Sequence, residues 1–194
     1  MTLVFASNNQ NKILEIKNML PQSIDLLSLE DIGCHEDIPE TADTIEGNAK
    51  LKANYVTAKY GYDCFADDTG LEVNALFGAP GVYSARYAGE QRNADDNMNK
   101  LLEALATETD RSAQFKTVIA ININSEQYLF TGIVKGDIID EKKGEMGFGY
   151  DPIFVSDGFD RTFAELSLDE KAKISHRGLA VKQLVEFLSD TNNL

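Results

Sequence analysis

Short apolar runs alternate with apolar positions at helical spacing along this chain, and the alternation predicts an α/β protein. Thr2–Ala6 reads as a short buried strand. A polar turn follows, Ser7-Asn8-Asn9-Gln10-Asn11-Lys12, and then a helix from about Lys12 to Leu20, stopped by Pro21, with Ile13, Ile16 and Leu20 inward. Ile24–Leu29 is a second strand, and Glu30 to Glu40 an acidic loop. Ile45, Ala49, Ala53, Val56 and Tyr60 share one face of a helix from Thr44 to about Tyr60, closed by Gly61. Tyr62–Ala66 is a strand that leads to Asp67-Asp68, where Thr69-Gly70 is expected to turn the chain. Asn93 caps a helix to about Leu105 with Met98, Leu101, Leu102 and Leu105 as its core stripe. Gln114–Ile123 and Gln127–Ile139 meet at Asn124-Ser125-Glu126 in the pattern of a long hairpin. Ile153–Val155 is a brief strand, and a last helix runs to about Ser189. No repeat, linker or low-complexity segment interrupts residues 1–194, which read as one domain.

Several polar positions do not fit a purely structural pattern. Strand, polar turn and helix start make an anion site from Ser7 to Lys12, because free N–H groups and the helix dipole point at the turn. The P-loop spacing GxxxxGK[ST] is absent, and a capped helix with solvated Asn residues is the plainer alternative. Lys52 lies on the apolar stripe of the second helix, either snorkelling outward or reaching inward to an anion, and Asn48 one turn earlier could face the same place. Asp67 and Asp68 after an apolar run are either a solvated turn or a seat for a hard cation that prefers oxygen ligands. Glu40 is the acid of its loop expected to point toward such a seat. Gly78-Ala79-Pro80-Gly81 is a rigid loop presenting Tyr83, Ser84 and Arg86, the last for a phosphate or a surface ion pair. Gly132 and Gly136 mark a bulge or a close backbone approach. Gly147-Phe148-Gly149 is either a flexible turn over a core Phe or an aromatic platform for a base. Ser175 and His176 are adjacent, and so ill placed as nucleophile and base.

Composition narrows the classes. The 43% hydrophobic and 26% charged content is that of a soluble globular protein, and no run approaches a membrane span. The first residues lack the basic region and cleavage site of a signal peptide. Cys34 and Cys64 form no metal-spaced pair and read as free thiols in a reducing cytoplasm. Two His residues without a His/Cys cluster argue against zinc. A net charge of −14 argues against nucleic-acid binding and means that any phosphate site must concentrate cations locally.

Five stretches in order carry a resemblance: Ser7–Lys12, Phe65-Ala66-Asp67-Asp68-Thr69-Gly70-Leu71, Gly78–Tyr87, Gly147-Phe148-Gly149-Tyr150-Asp151-Pro152 and Ser175-His176-Arg177-Gly178. The chain resembles the non-canonical purine nucleoside triphosphate pyrophosphatases, the inosine triphosphatase or Ham1-like family, from Leu3 to the last helix. The resemblance implies a two-lobed α/β fold with an elongated mixed β-sheet flanked by helices, an active cleft between lobes, and a homodimer. It implies Mg²⁺-dependent hydrolysis of dITP, ITP and XTP to monophosphate and pyrophosphate. Asp68 is then general base and metal ligand, and Glu40 the second metal ligand. Asp67 is a supporting or purely structural acid. Ser7, Asn8, Asn9, Gln10, Asn11, Lys12 and Lys52 take the phosphate side, and Thr69 is a further substrate-binding residue. Phe148, Gly149, Tyr150, Asp151, Lys171, His176 and Arg177 take the nucleoside, with His176 and Arg177 as donors to a ring carbonyl. A related Maf-like pyrophosphatase is disfavoured by the Phe-Gly-Tyr-Asp and Ser-His-Arg motifs. Asn8, Asn11 and Gly47 depart from the residues more common at those positions of the family.

Overall fold

The apolar runs become strands of one mixed sheet in a computed structural model that describes residues 1–190. Its elements are β1 (Thr2–Phe5), α1 (Gln10–Met19), β2 (Asp25–Leu27), α2 (Ile45–Tyr60), β3 (Cys64–Val73), β4 (Pro80–Gly81), α3 (Ala94–Ala104), β5 (Ser112–Ile123), β6 (Glu126–Ile138), β7 (Phe154–Ser156), α4 (Leu168–Ile174) and α5 (His176–Ser189). The strand order is β2-β1-β3-β5-β6-β7, with β4 beside β3. β1 runs parallel to both β2 and β3, whereas β4 on β3 and β7 on β6 are antiparallel. The parallel pairs are joined through α1 and α2, as parallel strands need crossover connections.

The chain divides into two compact units. The first comprises Met1–Asp68, Thr117–Gly132 and the chain from Arg177 on, and contains two apolar clusters. In one, Ile45, Ala49, Ala53 and Val56 of α2 meet Val4, Cys64, Ala66 and Val118. In the other, Ile16 of α1 and Ala180, Val181 and Leu184 of α5 meet Phe5, Phe65 and Ile119. The second unit comprises Thr69–Lys116 and Ile133–His176. Its core packs Met98 and Leu101 of α3, and Leu105 just after it, with Phe115, Ile138, Phe154 and Phe163. The single-domain expectation thus meets a chain that crosses between two units three times along continuous strands, β3, β5 and β6.

Most predicted elements are present, with shifted ends. Asn9 caps α1 by accepting from the Lys12 N–H, which starts the helix at Gln10, three residues before its first apolar position, Ile13. Gly61 closes α2 as expected, and Thr44, expected as its first residue, is its N-cap. The hairpin turns at Asn124 and Ser125, both at positive φ, as a two-residue turn matched to strand twist requires. Gly136 is a close approach: a Cβ there would lie 2.0 Å from the Val155 carbonyl oxygen.

One correction matters for the site. Asp67-Asp68-Thr69-Gly70 is not a turn but the middle of β3, which continues to Val73. Leu71 and Val73 are fully buried and extend the apolar run beyond the acids, and the Leu71 N–H donates to the buried Ser84 hydroxyl at 2.8 Å. The two carboxylates are tolerated in a strand because each meets a cation. Likewise, Pro80-Gly81 is not free loop but pairs with Leu71 and Glu72. Arg86 lies over the Tyr83 ring at 5.3 Å.

Candidate active site

Neighbouring residues in a strand point to opposite faces, and this divides Asp67 from Asp68. Asp67 is fully enclosed. Its Oδ1 accepts from Lys12 Nζ at 3.0 Å, and its Oδ2 accepts from Arg177 Nε at 3.1 Å and Nη2 at 3.0 Å. Arg177 Nη1 donates to Glu15 of α1. Burial alone would raise the Asp67 pKa, but Lys12, Arg177 and Lys52 outweigh it and hold the carboxyl below its ordinary value. Burial and the neighbouring cations Lys52 and Arg177 lower Lys12 despite the attraction of Asp67.

Asp68 faces α2. Its Oδ2 accepts from Asn48 Nδ2 at 3.4 Å, and its Oδ1 lies 3.5 Å from Lys52 Nζ. The same ammonium donates to Glu40 Oε1 at 2.6 Å. Asn48 and Lys52 are four residues apart on α2, so one helix face delivers both groups. Lys52 therefore reaches inward. Burial works against its charge, and Asp68, Glu40 and Asp67 more than offset this, so its pKa is raised. Burial raises the Asp68 pKa, Glu40 and Asp67 add to the rise, and Lys52 and Lys12 only partly oppose it. An elevated carboxyl pKa strengthens the conjugate base.

The donor set fits a small hard cation. Two carboxylates, Glu40 and Asp68, converge on one ammonium nitrogen. Among the described residues no group of three or more His, Cys, Asp or Glu could hold a metal. Mg²⁺ is commonly held by one or two carboxylates with water and substrate phosphates rather than by an all-protein cage.

The polar turn sits at the start of α1. Ser7 is half-buried and its hydroxyl accepts from the Asn9 N–H at 3.2 Å, whereas Asn8, Asn9, Gln10 and Asn11 are exposed. Thr69, the next residue of β3 after Asp68, is half-buried.

The second unit gathers most of the residues expected at the nucleoside. Asp151 is buried, and its Oδ2 accepts from the Phe148 N–H at 2.7 Å and from Lys171 Nζ at 2.5 Å. Lys171 Nζ lies 5.0 Å from the centre of the half-buried Phe148 ring. Gly149 is half-buried, and the Tyr150 hydroxyl donates to the Ser84 carbonyl at 2.9 Å. His176 stacks on Phe115, ring centres 4.5 Å apart at 17°.

Arg177 departs from its expected place. It is among the largest fully buried side chains, and its Nε, Nη1 and Nη2 all donate to carboxylates of the first unit. A guanidinium is held there because Asp67 and Glu15 supply the charge that burial demands. Asn48 faces the same place as Lys52, as its spacing on the helix allowed, whereas Glu15 is a polar residue that sequence reasoning left out of the site. Glu15 is buried in α1 and stands three residues after Lys12, on a helix face it shares with Asn11, Lys12 and Asn18, so no local pattern marks it.

A mixed α/β sheet whose strand β3 carries two buried carboxylates, each answered by a lysine, frames the candidate site. The chain belongs to the Ham1 family, whose pattern matches residues 3–187. It is 70% identical over 190 residues to a protein of Flavobacterium psychrophilum named dITP/XTP pyrophosphatase, covering 98% of this chain and all of that one. A namesake from Porphyromonas gingivalis is 54% identical over 187 residues, 96% of each chain. The solved Staphylococcus aureus Ham1 protein superposes with a TM-score of 0.88 at 44% identity, over 97% of this chain and 98% of that one. A HAM1 protein from Coxiella burnetii gives 0.89 at 40% identity, with the same coverage.

Proposed function

We propose that this protein is a nucleoside triphosphate pyrophosphatase that hydrolyses dITP, ITP and XTP to the monophosphate and pyrophosphate, with Mg²⁺ as cofactor. The convergence of Glu40, Asp68 and Lys52 carries the reading, in a chain whose relatives are named dITP/XTP pyrophosphatases. Such a reaction removes deaminated purines from the nucleotide pool.

Attack of water on the α-phosphorus requires a base, an aligned nucleophile and neutralised phosphate charge. In this reading Asp68 accepts the proton of the attacking water. Glu40 and Asp68 are the ligands that would hold Mg²⁺, which supplies charge neutralisation and lowers the pKa of water. Lys52 and Lys12 grip phosphate oxygens, with the Ser7–Asn11 turn offering N–H groups at the start of α1. Thr69 adds a hydroxyl to that side. Asp67 holds Lys12 in place, and Arg177 holds Asp67.

The residues expected at the nucleoside, other than Arg177, lie in the second unit. Phe148 offers a ring to the base, and Asp151 with Lys171 fixes the backbone that carries it. The backbone of Gly149 to Asp151 and the His176 ring supply groups for the base edge. A 6-keto oxygen accepts such donors and a 6-amino group does not, so ATP would leave them unpaired. The protein works as a homodimer in the cytoplasm, and no nucleic acid or membrane is a partner. Among the described residues no helix is long and apolar enough to cross a membrane.

Purified protein incubated with dITP and Mg²⁺ is expected to yield dIMP and pyrophosphate. Release of orthophosphate instead would reject the cleavage position, and no turnover with any of dITP, ITP or XTP would reject the function.

A further inference from the structure

We propose that Asn48 is a positioning residue that sets the spacing of Asp68 and Glu40, and that Gly47 gives it the room to do so. The inference deepens the pyrophosphatase reading and rests on it for what the spacing serves. Asn48 is buried in α2 and its carboxamide works in two directions. Nδ2 donates to Asp68 Oδ2, and Oδ1 accepts from the Ala42 N–H at 3.0 Å. Ala42 lies two residues after Glu40. One short, rigid side chain thus ties the strand that carries one carboxylate to the segment that carries the other.

Lys52 also touches both acids, but its link is different. An ammonium on a four-carbon stem attracts without fixing direction, whereas a carboxamide has one donor end and one acceptor end on a two-torsion side chain. Lys52 therefore supplies charge and Asn48 supplies geometry. A buried amide with both ends engaged is costly to replace by an apolar group, because the Ala42 N–H and the Asp68 oxygen then lose a partner.

Gly47 makes the approach possible. A Cβ at residue 47 would stand 2.5 Å from the Ala42 Cβ and 2.9 Å from the Thr44 hydroxyl oxygen. At those distances a Cβ would force the Ala42 segment or the Thr44 side chain to shift, so the segment after Glu40 lies as close to α2 as it does in this chain because residue 47 has no side chain. Moving that segment outward would lengthen the Ala42–Asn48 bond and carry Glu40 away from Asp68.

The test uses the full chain as wild type, Asn48→Ala and Gly47→Ala, with circular dichroism and thermal melts to establish folding. Mn²⁺ binding is read by electron paramagnetic resonance on the metal alone, and kcat and KM are read with dITP and Mg²⁺. Folded Asn48→Ala is expected to bind Mn²⁺ at least fivefold more weakly and to lose kcat ten- to a hundredfold, with KM for dITP changed less than threefold. Gly47→Ala, which leaves the carboxamide intact, is expected to shift both in the same direction, and it decides the matter if Asn48→Ala does not fold. Folded variants with wild-type Mn²⁺ affinity would overturn the proposal, as would a kcat loss that vanishes on correcting for the folded fraction. If wild type turns over none of the three nucleotides, the pyrophosphatase reading fails, and the Mn²⁺ comparison still decides whether Asn48 sets the carboxylate spacing.

Discussion

Asp67 and Asp68 are chemically identical neighbours with opposite fates, and strand alternation separates them. Asp67 is sealed among Lys12 and Arg177, so its loss is a stability problem. Asp67→Ala is expected to destabilise the protein by about 3–5 kcal/mol, because it leaves two buried cations without their counter-charge. Urea unfolding measures this. Asp68 is a chemical problem instead. Asp68→Asn keeps the shape and the Asn48 contact side but removes the base, and should lower kcat by about 10²–10⁴-fold while dITP still binds. Product assays and equilibrium binding separate the two effects, and full activity in Asp68→Asn would remove Asp68 from the mechanism. Both acids were visible in the sequence, and the family resemblance gave the supporting or structural part to Asp67; the local pattern alone did not separate them, because a turn and a strand give different faces to the same pair.

At the scale of elements, caps and turns follow local chemistry. Asn9, Thr44, Asn93 and Ser167 each accept from a backbone N–H at a helix start. Ser167 and Glu170 form a capping box on α4, the helix that bears Lys171. Ser167→Ala is expected to cost about 1 kcal/mol by thermal or urea melts. The Glu170 carboxyl is held down to about 2, first by Arg161 and then by the Ser167 backbone and hydroxyl. A depressed carboxyl stabilises the folded state fully above its ordinary value of 4.5, and the effect fades as pH falls toward about 2. NMR titration of the Glu170 carboxyl checks this, and a midpoint near 4.5 would contradict it. The close packing at Gly136 gives a third test at this scale. Gly136→Ala should loosen the pairing of β6 with β7, seen as faster amide exchange in Phe154–Ser156, since its Cβ would collide with the Val155 carbonyl.

For the molecule as a whole, charge and chain path set the terms. A net charge of −14 makes the lysines of the site local exceptions in a repulsive field. Lys52→Met should therefore raise KM for dITP and lower kcat together, because it removes phosphate charge compensation and leaves Glu40 and Asp68 facing each other. Steady-state kinetics with folded variant protein reads both, and an unchanged KM and kcat would place Lys52 outside the site. The chain path explains why site residues from distant stretches meet within each unit. Lys12, Glu40, Lys52 and Asp68 come together in the first unit, and Phe148, Asp151, Lys171 and His176 belong to the second.

Helix stripes, caps, the hairpin turn and the ordered polar motifs were legible along the chain because each depends on residues within a turn or two of one another. The same nearness made the roles of Lys52 and the Ser7–Lys12 turn readable as possibilities. Folding alone decided that β3 runs through its two acids, that Arg177 turns to Asp67 and Glu15, and that Asn48 bridges Asp68 to the segment after Glu40. Those outcomes depend on contacts that reach residues as far as 162 positions apart. No local pattern specifies which buried charge will meet which partner, since that choice is made by the cost of leaving any of them unpaired once the core has closed.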